Sequence, residues 1–492
     1  MSDRPPQSQP ADDHIGWAAI AFALLLGTLV RVWHLTFASQ HTDEAFTFAI
    51  SSLRVPALLS GVATRDFHPP LFYLATHALM VLIPKPQWDY RIVTAAFGVL
   101  TIVCAWGATR RLAGPIAAAG AAIAVALVPA LLQYDRIYRM YAVTTALATL
   151  SFWLVLEIQR PAKARRRWLV AAYAVIAIIL PYIDYLGGLA VALQMLYALT
   201  RRPVLMSVVV SGAASALAFL AWLGPLHEQL PLAGLTISHP GLDTGLLSSF
   251  QAAFAGGVPP LWLAWPGGVA APLVCVAAIS SAGMWLGRRT VLPFWLAMLW
   301  VQIGLSIVLG KNLAYFPRYL LIDIPPLCVS FGLFIAWLWS SQRRALAAAC
   351  GAVMVAFLGA TASNVLLDPY YQFPDWYALN GVMFDAEKPG DAIVLDAGYE
   401  ALVVKDFTAF RDHKTLSFMN PSDFAPILRW ISTHPDRRVW YVEHQQYYWD
   451  PQRRIAAALG MRPDVLVRRW PRRWPVDDVS VMLFDKVPMT IR

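Results

Sequence analysis

The residues best suited to chemistry stand in short polar stretches between long apolar runs. His41-Thr42-Asp43-Glu44 follows directly on the first run, and His68-Pro69-Pro70 opens a later one, with Lys85 just beyond it. Tyr134-Asp135-Arg136-Ile137-Tyr138-Arg139-Met140-Tyr141 joins two further runs, and Lys311, Tyr315, Arg318 and Tyr319 precede another. Acids placed where a membrane helix meets water are costly unless used. A carboxylate among cations and tyrosines suits one kind of reaction. The cations would hold an anionic lipid phosphate by charge-assisted hydrogen bonds, and the carboxylate would take a proton from an attacking hydroxyl or amine.

These stretches do one job only if the elements around them deliver them to one side of a bilayer. The chain has 492 residues, 58% hydrophobic and 14% charged. A soluble globule carries about 25% charged residues, so this is a polytopic helical membrane protein. The net charge of +9 lies largely in short clusters between apolar runs. That is the pattern of cytoplasmic loops and not of a nucleic-acid binder. The four cysteines, at 104, 275, 328 and 350, all lie inside apolar runs and read as small core residues rather than disulfides or metal ligands.

Eleven spans are expected, at residues 15–33, 91–109, 113–132, 141–158, 168–181, 186–199, 204–223, 266–286, 291–309, 319–340 and 345–365. The run Leu71 to Ile83 is bracketed by Pro70 and Pro84 and is shorter than the ~20 residues a span needs. Read as re-entrant or interfacial, it puts the basic clusters at residues 110–111, 163–167, 201–202, 288–289 and 343–344 on the side of the N-terminus, as the positive-inside rule demands. The opposite side then collects the first outer loop, 35–90, and a second at 224–260, together with Asp184. From about residue 367 the composition turns mixed. Residues 391–396, 438–443 and 480–484 read as strands, and 375–385, 422–432 and 452–459 as helices, of a small α/β domain.

Each candidate also has a plain structural role open to it. Asp43 could cap an interfacial helix, and Glu44 could serve the helix dipole instead of acting as a second acid. His68 could simply end a loop, Arg139 could pair with Asp135, and Arg318 could snorkel to headgroups. The histidines and acids of 224–260, such as His239 and Asp243, match no zinc spacing. A transporter or lipid flippase would share the span count, but mid-span charges are few and no internal repeat is evident.

Taken in order, the Asp-Glu after the first span, His-Pro-Pro-Leu-Phe-Tyr, Tyr-x-x-x-x-Arg-Met-Tyr and a late Arg-Tyr-Leu-Leu resemble glycosyltransferase family 39. That family is of the GT-C membrane class and includes protein O-mannosyltransferases and the aminoarabinose transferases of lipid A. The resemblance covers roughly residues 15–365. It implies a GT-C transmembrane domain (15–366), which the sequence itself flanks with a polar, disordered cytoplasmic tail (1–14) and the extracytoplasmic α/β domain (367–492). It implies an inverting enzyme of the bacterial inner (plasma) membrane, using a polyprenyl-phosphate sugar donor and an envelope glycolipid, polysaccharide or protein acceptor. Asp43 matches the general base, with Glu44 beside it. His68 stands where aminoarabinose transferases carry a Lys, and Arg139, Tyr141, Arg318 and Tyr319 match the other motifs; on this resemblance His68, Arg139 and Arg318 are the phosphate candidates. Tyr134, Asp135, Tyr138, Tyr141, Tyr315, Tyr319 and Lys85 would line the donor and acceptor pocket. Relatives carry a Glu where this chain has Ile137, and Asp135 two places earlier is the candidate to replace it. A phosphate leaving group needs no strong acid, so no cofactor is required, although Asp43 and Glu44 could hold a divalent cation.

Overall fold

The computed structural model describes residues 10–35, 40–159, 165–236, 253, 270–309, 317–367, 376–396, 401, 414–417, 424–444, 450, 452–460, 466–470 and 479–484. The chain divides into two compact units, Met1–Leu35 with Ile50–Leu367, and Thr36–Ala49 with Asp368–Arg492.

The first unit is helical. Its elements are α1 (Pro10–Val32), α3 (Val55–Arg65), α4 (Leu71–Leu82), α5 (Arg91–Ala113), α6 (Pro115–Leu127), α7 (Pro129–Asp135), α8 (Met140–Gln159), α9 (Arg166–Ile183), α10 (Tyr185–Leu199), α11 (Arg202–Phe219), α12 (Leu223–Thr236), α13 (Ala270–Leu286), α14 (Leu292–Leu309), α15 (Ile324–Ser340) and α16 (Arg344–Leu367); α2 (Thr42–Ser51) runs across the division. Among the described residues seven helices are long and apolar enough to cross a membrane, and α6 with α7 makes an eighth candidate bent by 57°. Residues Tyr185–Leu199, Val274–Leu286 and Leu292–Leu305 are shorter apolar helices, so each segment expected to span is mainly helical over its described residues, with breaks at Gly114 and Val128 and a 3-10 turn at Pro317–Asp323. This is an integral membrane protein, and rows of large apolar side chains such as Leu25, Met206, Leu217 and Val353 stay exposed on its surface, as lipid contact requires. At 12 residues and a rise of about 1.5 Å per residue, α4 is well short of a ~30 Å hydrocarbon core.

Small residues set the helix spacing. A side chain at Gly332 in α15 would run into the Ala117 carbonyl of α6, so the two backbones approach closely, as in membrane interfaces built on glycine and alanine. Cys104 and Cys328 are buried, Cys350 is half-buried and Cys275 is exposed; all four are free thiols.

The second unit holds a five-stranded sheet of β1 (Ala392–Leu395), β2 (Lys414–Ser417), β3 (Val439–His444), β4 (Leu466–Trp470) and β5 (Val479–Phe484). The order is β2-β1-β3-β5-β4. Strand β1 runs parallel to β2 and β3, while β5 runs antiparallel to β3 and β4. The sequence pattern locates β1, β3 and β5 but not β2 or β4. Both missed strands are polar, with Lys414 in one and Arg468-Arg469 in the other, and the sheet places them at its edges, where the alternation signal is weakest. Alternate side chains of the central strands feed two cores. Val394, Val439, Tyr441, Met482 and Phe484 pack with α18 (Phe424–Thr433) and α19 (Arg454–Ala458) on one face. Ile393, Leu395, Trp440, Val442 and Val481 pack with α17 (Trp376–Ala386) and with Ala45 of α2 on the other. The segment bearing Asp43 is therefore built into the C-terminal unit.

Candidate active site

Between α3 and α4 the chain reads Asp66-Phe67-His68-Pro69-Pro70. The prolines restrict the backbone here, and the one after His68 disfavours the helical region at that residue. Asp66 and His68 are buried, at 4% and 7% exposure. Asp66 Oδ1 meets His68 Nδ1 at 2.9 Å and the Phe67 amide at 2.8 Å. Its Oδ2 accepts the Tyr73 hydroxyl from the first turn of α4 and lies 3.7 Å from Arg139 Nη2. The Arg139 guanidinium also covers the Tyr73 ring at 5.3 Å and comes within 3.3 Å of His68 Nδ1. Burial alone would push the Asp66 carboxyl up, but the charges of His68 and Arg139 and the bonds from His68 and Tyr73 outweigh it and hold it below the usual carboxylate range.

Two further elements close on this cluster. Asp184 ends α9 and caps α10, its Oδ1 accepting the Leu186 amide at 3.0 Å. Burial raises its carboxyl, against the nearby positive charge of His68 and Arg139. From α12, Gln229 donates through Nε2 to the carbonyls of Val62 and His68, each at 2.9 Å. Its Oε1 accepts the Tyr185 hydroxyl, which in turn accepts Trp222 Nε1 at 3.0 Å. A cation pair brought together from positions 71 residues apart is thus clamped by a carboxylate and four helices.

Of the expected pocket residues, Tyr138 reaches α4, its hydroxyl 3.2 Å from Thr76 Oγ1 and its ring against Phe72 and Tyr90. Tyr134 and Tyr141 stack edge to face at 5.5 Å. Lys85 is exposed, with its backbone amide on the Tyr90 hydroxyl. Arg318 is half-buried, its guanidinium 5.4 Å from the Tyr319 ring. Tyr315, Lys311, His239 and Asp243 lie outside the described residues.

Asp135 departs from expectation. Its carboxylate pairs with Arg31 of α1 at 2.8 Å, both side chains buried, and so is committed to the interior rather than to a pocket. The pairing Arg139–Asp135 left open by the sequence is not the one formed; Arg139 turns to Asp66 instead. Arg136 closes the end of α1, donating to the Trp33 carbonyl at 2.8 Å. Sequence reasoning passed over Asp66, Tyr73 and Gln229. For Asp66 the available signal was a carboxylate two residues before a histidine that the prolines lock in place.

In the second unit, His41 and Glu44 cap α2. His41 Nδ1 accepts the Asp43 amide at 3.1 Å, and Glu44 Oε2 accepts the His41 amide at 2.8 Å, a reciprocal pairing of the capping-box type. Glu44 is buried at 1% exposure, whereas the Asp43 side chain is 24% exposed, 3.8 Å from His41 Nδ1. Among the described residues no group of three or more His, Cys, Asp or Glu side chains is placed to hold a metal ion.

A helical membrane unit of this build, joined to a small sheet domain, has the GT-C glycosyltransferase fold. Residues 67–225 match the family model described as dolichyl-phosphate-mannose-protein mannosyltransferase, a stretch that holds Arg139 and begins at the residue before His68. Among solved structures the chain is similar to ArnT from Cupriavidus metallidurans bound to undecaprenyl phosphate, at 14% identity and a TM-score of 0.52, covering 95% of this chain and 98% of that one. It is also similar to the oligosaccharyltransferase of Archaeoglobus fulgidus in the apo form, at 14% identity and a TM-score of 0.51, covering 88% and 70%. The oligosaccharyltransferase AglB of the same organism, in complex with an inhibitory peptide and a dolichol-phosphate, matches at 11% identity and 0.51, covering 89% and 70%. No curated protein matches the chain in sequence.

Proposed function

We propose that the protein is an inverting glycosyltransferase of the cell envelope. It moves a sugar from a polyprenyl-phosphate donor to a glycolipid, polysaccharide or protein acceptor on the outer face of the membrane. The observation that carries this reading is the buried meeting of His68 and Arg139, 3.3 Å apart, at the entry to a helix too short to span. Two cationic side chains fixed in a membrane unit are suited to a lipid-borne anion, and Arg can bind one bidentately. Support comes from the family-model match over the same segment and from fold relatives solved with undecaprenyl phosphate and dolichol-phosphate.

In this mechanism His68, Arg139 and Arg318 bind the donor phosphate and stabilise the charge it gains as the glycosidic bond breaks. Asp43 accepts the acceptor's proton as its oxygen or nitrogen attacks the anomeric carbon from the face opposite the phosphate. A single displacement inverts that carbon. The tyrosines at 134, 138, 141, 315 and 319, with Lys85, line the path of donor and acceptor. The site faces outward, with the N-terminus cytoplasmic and the C-terminal unit beyond the membrane.

The test is sugar transfer from a radiolabelled polyprenyl-phosphate donor by detergent-purified protein, comparing the wild type with Asp43→Asn and Arg139→Ala. Transfer by the wild type and its loss in both folded variants is expected. Wild-type turnover in Asp43→Asn removes that residue from the base role. Cysteine labelling that put positions 43 and 318 on opposite surfaces of the membrane would overturn the mechanism.

A further inference from the structure

The two oxygens of Asp66 take four neighbours: the Phe67 amide and His68 Nδ1 on one, the Tyr73 hydroxyl and the Arg139 guanidinium on the other. A carboxylate so enclosed is the ionised, acceptor-only form. Its partner at 2.9 Å, His68 Nδ1, must then carry the proton. Arg139 can only donate, so its approach to the protonated Nδ1 at 3.3 Å is packing rather than a bond, and its electrostatic partner is the carboxylate. The backbone of His68 is held as firmly, by Gln229 on its carbonyl at 2.9 Å and by the two prolines that follow. Phe67 covers the ring, with centroids 4.4 Å apart. What remains is Nε2, which makes no hydrogen bond among the described residues.

We propose that Asp66 is the positioning residue of the donor site. It holds Nδ1–H and sets the orientation of the His68 imidazolium, so that Nε2–H is the donor offered to the phosphate of a polyprenyl-phosphate ligand. This deepens the reading above and rests on it. Which ring nitrogen works is set by the bond that the other one makes, and a carboxylate behind an imidazole is the common way of setting it. Asp66 does not itself meet the phosphate, because two anions in one buried space repel. It acts through the ring, with Nδ1–H held on the carboxylate and Nε2–H donated to a phosphate oxygen. Among the described residues, the charged and titratable groups around His68 are Asp66 on its own loop, Tyr73 of α4, Arg139 before α8, Asp184 between α9 and α10, and Tyr185 of α10 beside the two carboxylates, while Gln229 of α12 is uncharged. Asp184 is spent on the α10 cap, which leaves Asp66 as the carboxylate that governs the ring.

The experiment is a double-mutant cycle on the full-length protein in detergent. It reads the affinity for undecaprenyl phosphate and, separately, KM and kcat for a polyprenyl-phosphate donor. Asp66→Asn should weaken undecaprenyl phosphate binding by about tenfold, as loss of an outer-shell carboxylate typically does, and should raise donor KM more than it lowers kcat. His68→Gln should cost a similar factor. The pair should be no weaker than His68→Gln alone, since Asp66 has nothing to position once the imidazole is gone. Additive losses, or undiminished binding by Asp66→Asn, would overturn the role of Asp66 and leave the donor site standing. Should Asp66→Asn not fold, Asp66→Glu takes its place. It keeps the charge for Arg139 but shifts the imidazole, so it too should weaken binding only where His68 is present, and a loss in both backgrounds would overturn the inference. A wild type that does not bind undecaprenyl phosphate refutes the donor-site reading itself and this inference with it.

Discussion

Arg31 of α1 and Asp135 of α7 form a buried ion pair at 2.8 Å, 104 residues apart in sequence. The pair exists because of the break between α6 and α7. Pro129 has no N–H to give the Val125 carbonyl, and a carbonyl left bare inside a membrane protein is costly. Arg31 supplies the missing donors, with Nη2 on the Val125 carbonyl at 3.3 Å and Nη1 on that of Ala126 at 3.1 Å. Gly98 of α5 makes the room, since a side chain there would collide with the Asp135 carboxylate. Removing one partner of a buried pair typically costs about 3–5 kcal/mol. Asp135→Ala and Gly98→Leu should each lower the thermal midpoint of the detergent-solubilised protein sharply. Donor KM per folded molecule should stay near wild type, since the pair is structural. A normal midpoint with failed transfer would instead return Asp135 to the reaction.

The adjacent acids of α2 should separate cleanly. Glu44 closes the cap on the His41 amide, so Glu44→Ala should cost about 1 kcal/mol of stability, the usual worth of a cap, with donor affinity kept. The Asp43 amide bonds His41 Nδ1, and its carboxylate stands 3.8 Å from the same nitrogen. Asp43→Asn keeps that amide bond and the side chain's shape, so it should melt close to the wild type and fail in transfer. Parallel melting curves and transfer rates on the two variants decide this, and a melting loss in Asp43→Asn as large as that in Glu44→Ala would count against it.

The sequence made the apolar helices legible because their lengths and prolines are local features. It located His68 and Arg139 because cations are rare among apolar runs. It could not pair them. Arg139 had Asp135 four residues away as an obvious partner, and only tertiary packing carries one toward Asp66 and the other toward Arg31. Asp66 itself was hidden in the same polar loop as Asp43 and Glu44, whose place directly after the first span drew the attention. Glu44 read as either a second acid or a first-turn dipole residue, and its bond to the His41 amide emerged only once the start of α2 was fixed at Thr42.

Gln229 ties α12 to the His68 cluster through the carbonyls of Val62 and His68. Gln229→Leu strips both of a donor and leaves the Tyr185 hydroxyl without this acceptor. Unsatisfied buried polar groups cost about 1–3 kcal/mol each. The expected outcome is a lowered melting midpoint together with a several-fold loss of undecaprenyl phosphate affinity, because the His68 backbone loses its anchor. A fall in the midpoint with full affinity would show that the prolines alone hold the histidine.

The C-terminal unit should have a pH dependence of its own, set by Asp396 at the end of β1. This side chain is buried, accepts the Tyr441 hydroxyl at 2.6 Å, and has its carboxyl pushed up to about 8, chiefly by burial and against the help of that hydrogen bond, with Glu443 and Asp450 adding to the rise. An unfolded chain releases this proton near pH 4, whereas the folded one keeps it to about 8. The folded state therefore binds more protons across that window, and stability must fall as pH rises through it, then level off above. The drop is on the order of a few kcal/mol, since one pKa unit is worth about 1.4 kcal/mol. Asp396→Asn keeps an acceptor for Tyr441 and has nothing to titrate, so it should abolish the slope. Amide exchange in β1 and β3 of the full-length protein, corrected for intrinsic rates at each pH, reads the effect. Protection that weakened equally from pH 5 to 8 in the wild type and in Asp396→Asn would rule out this carboxyl as its source.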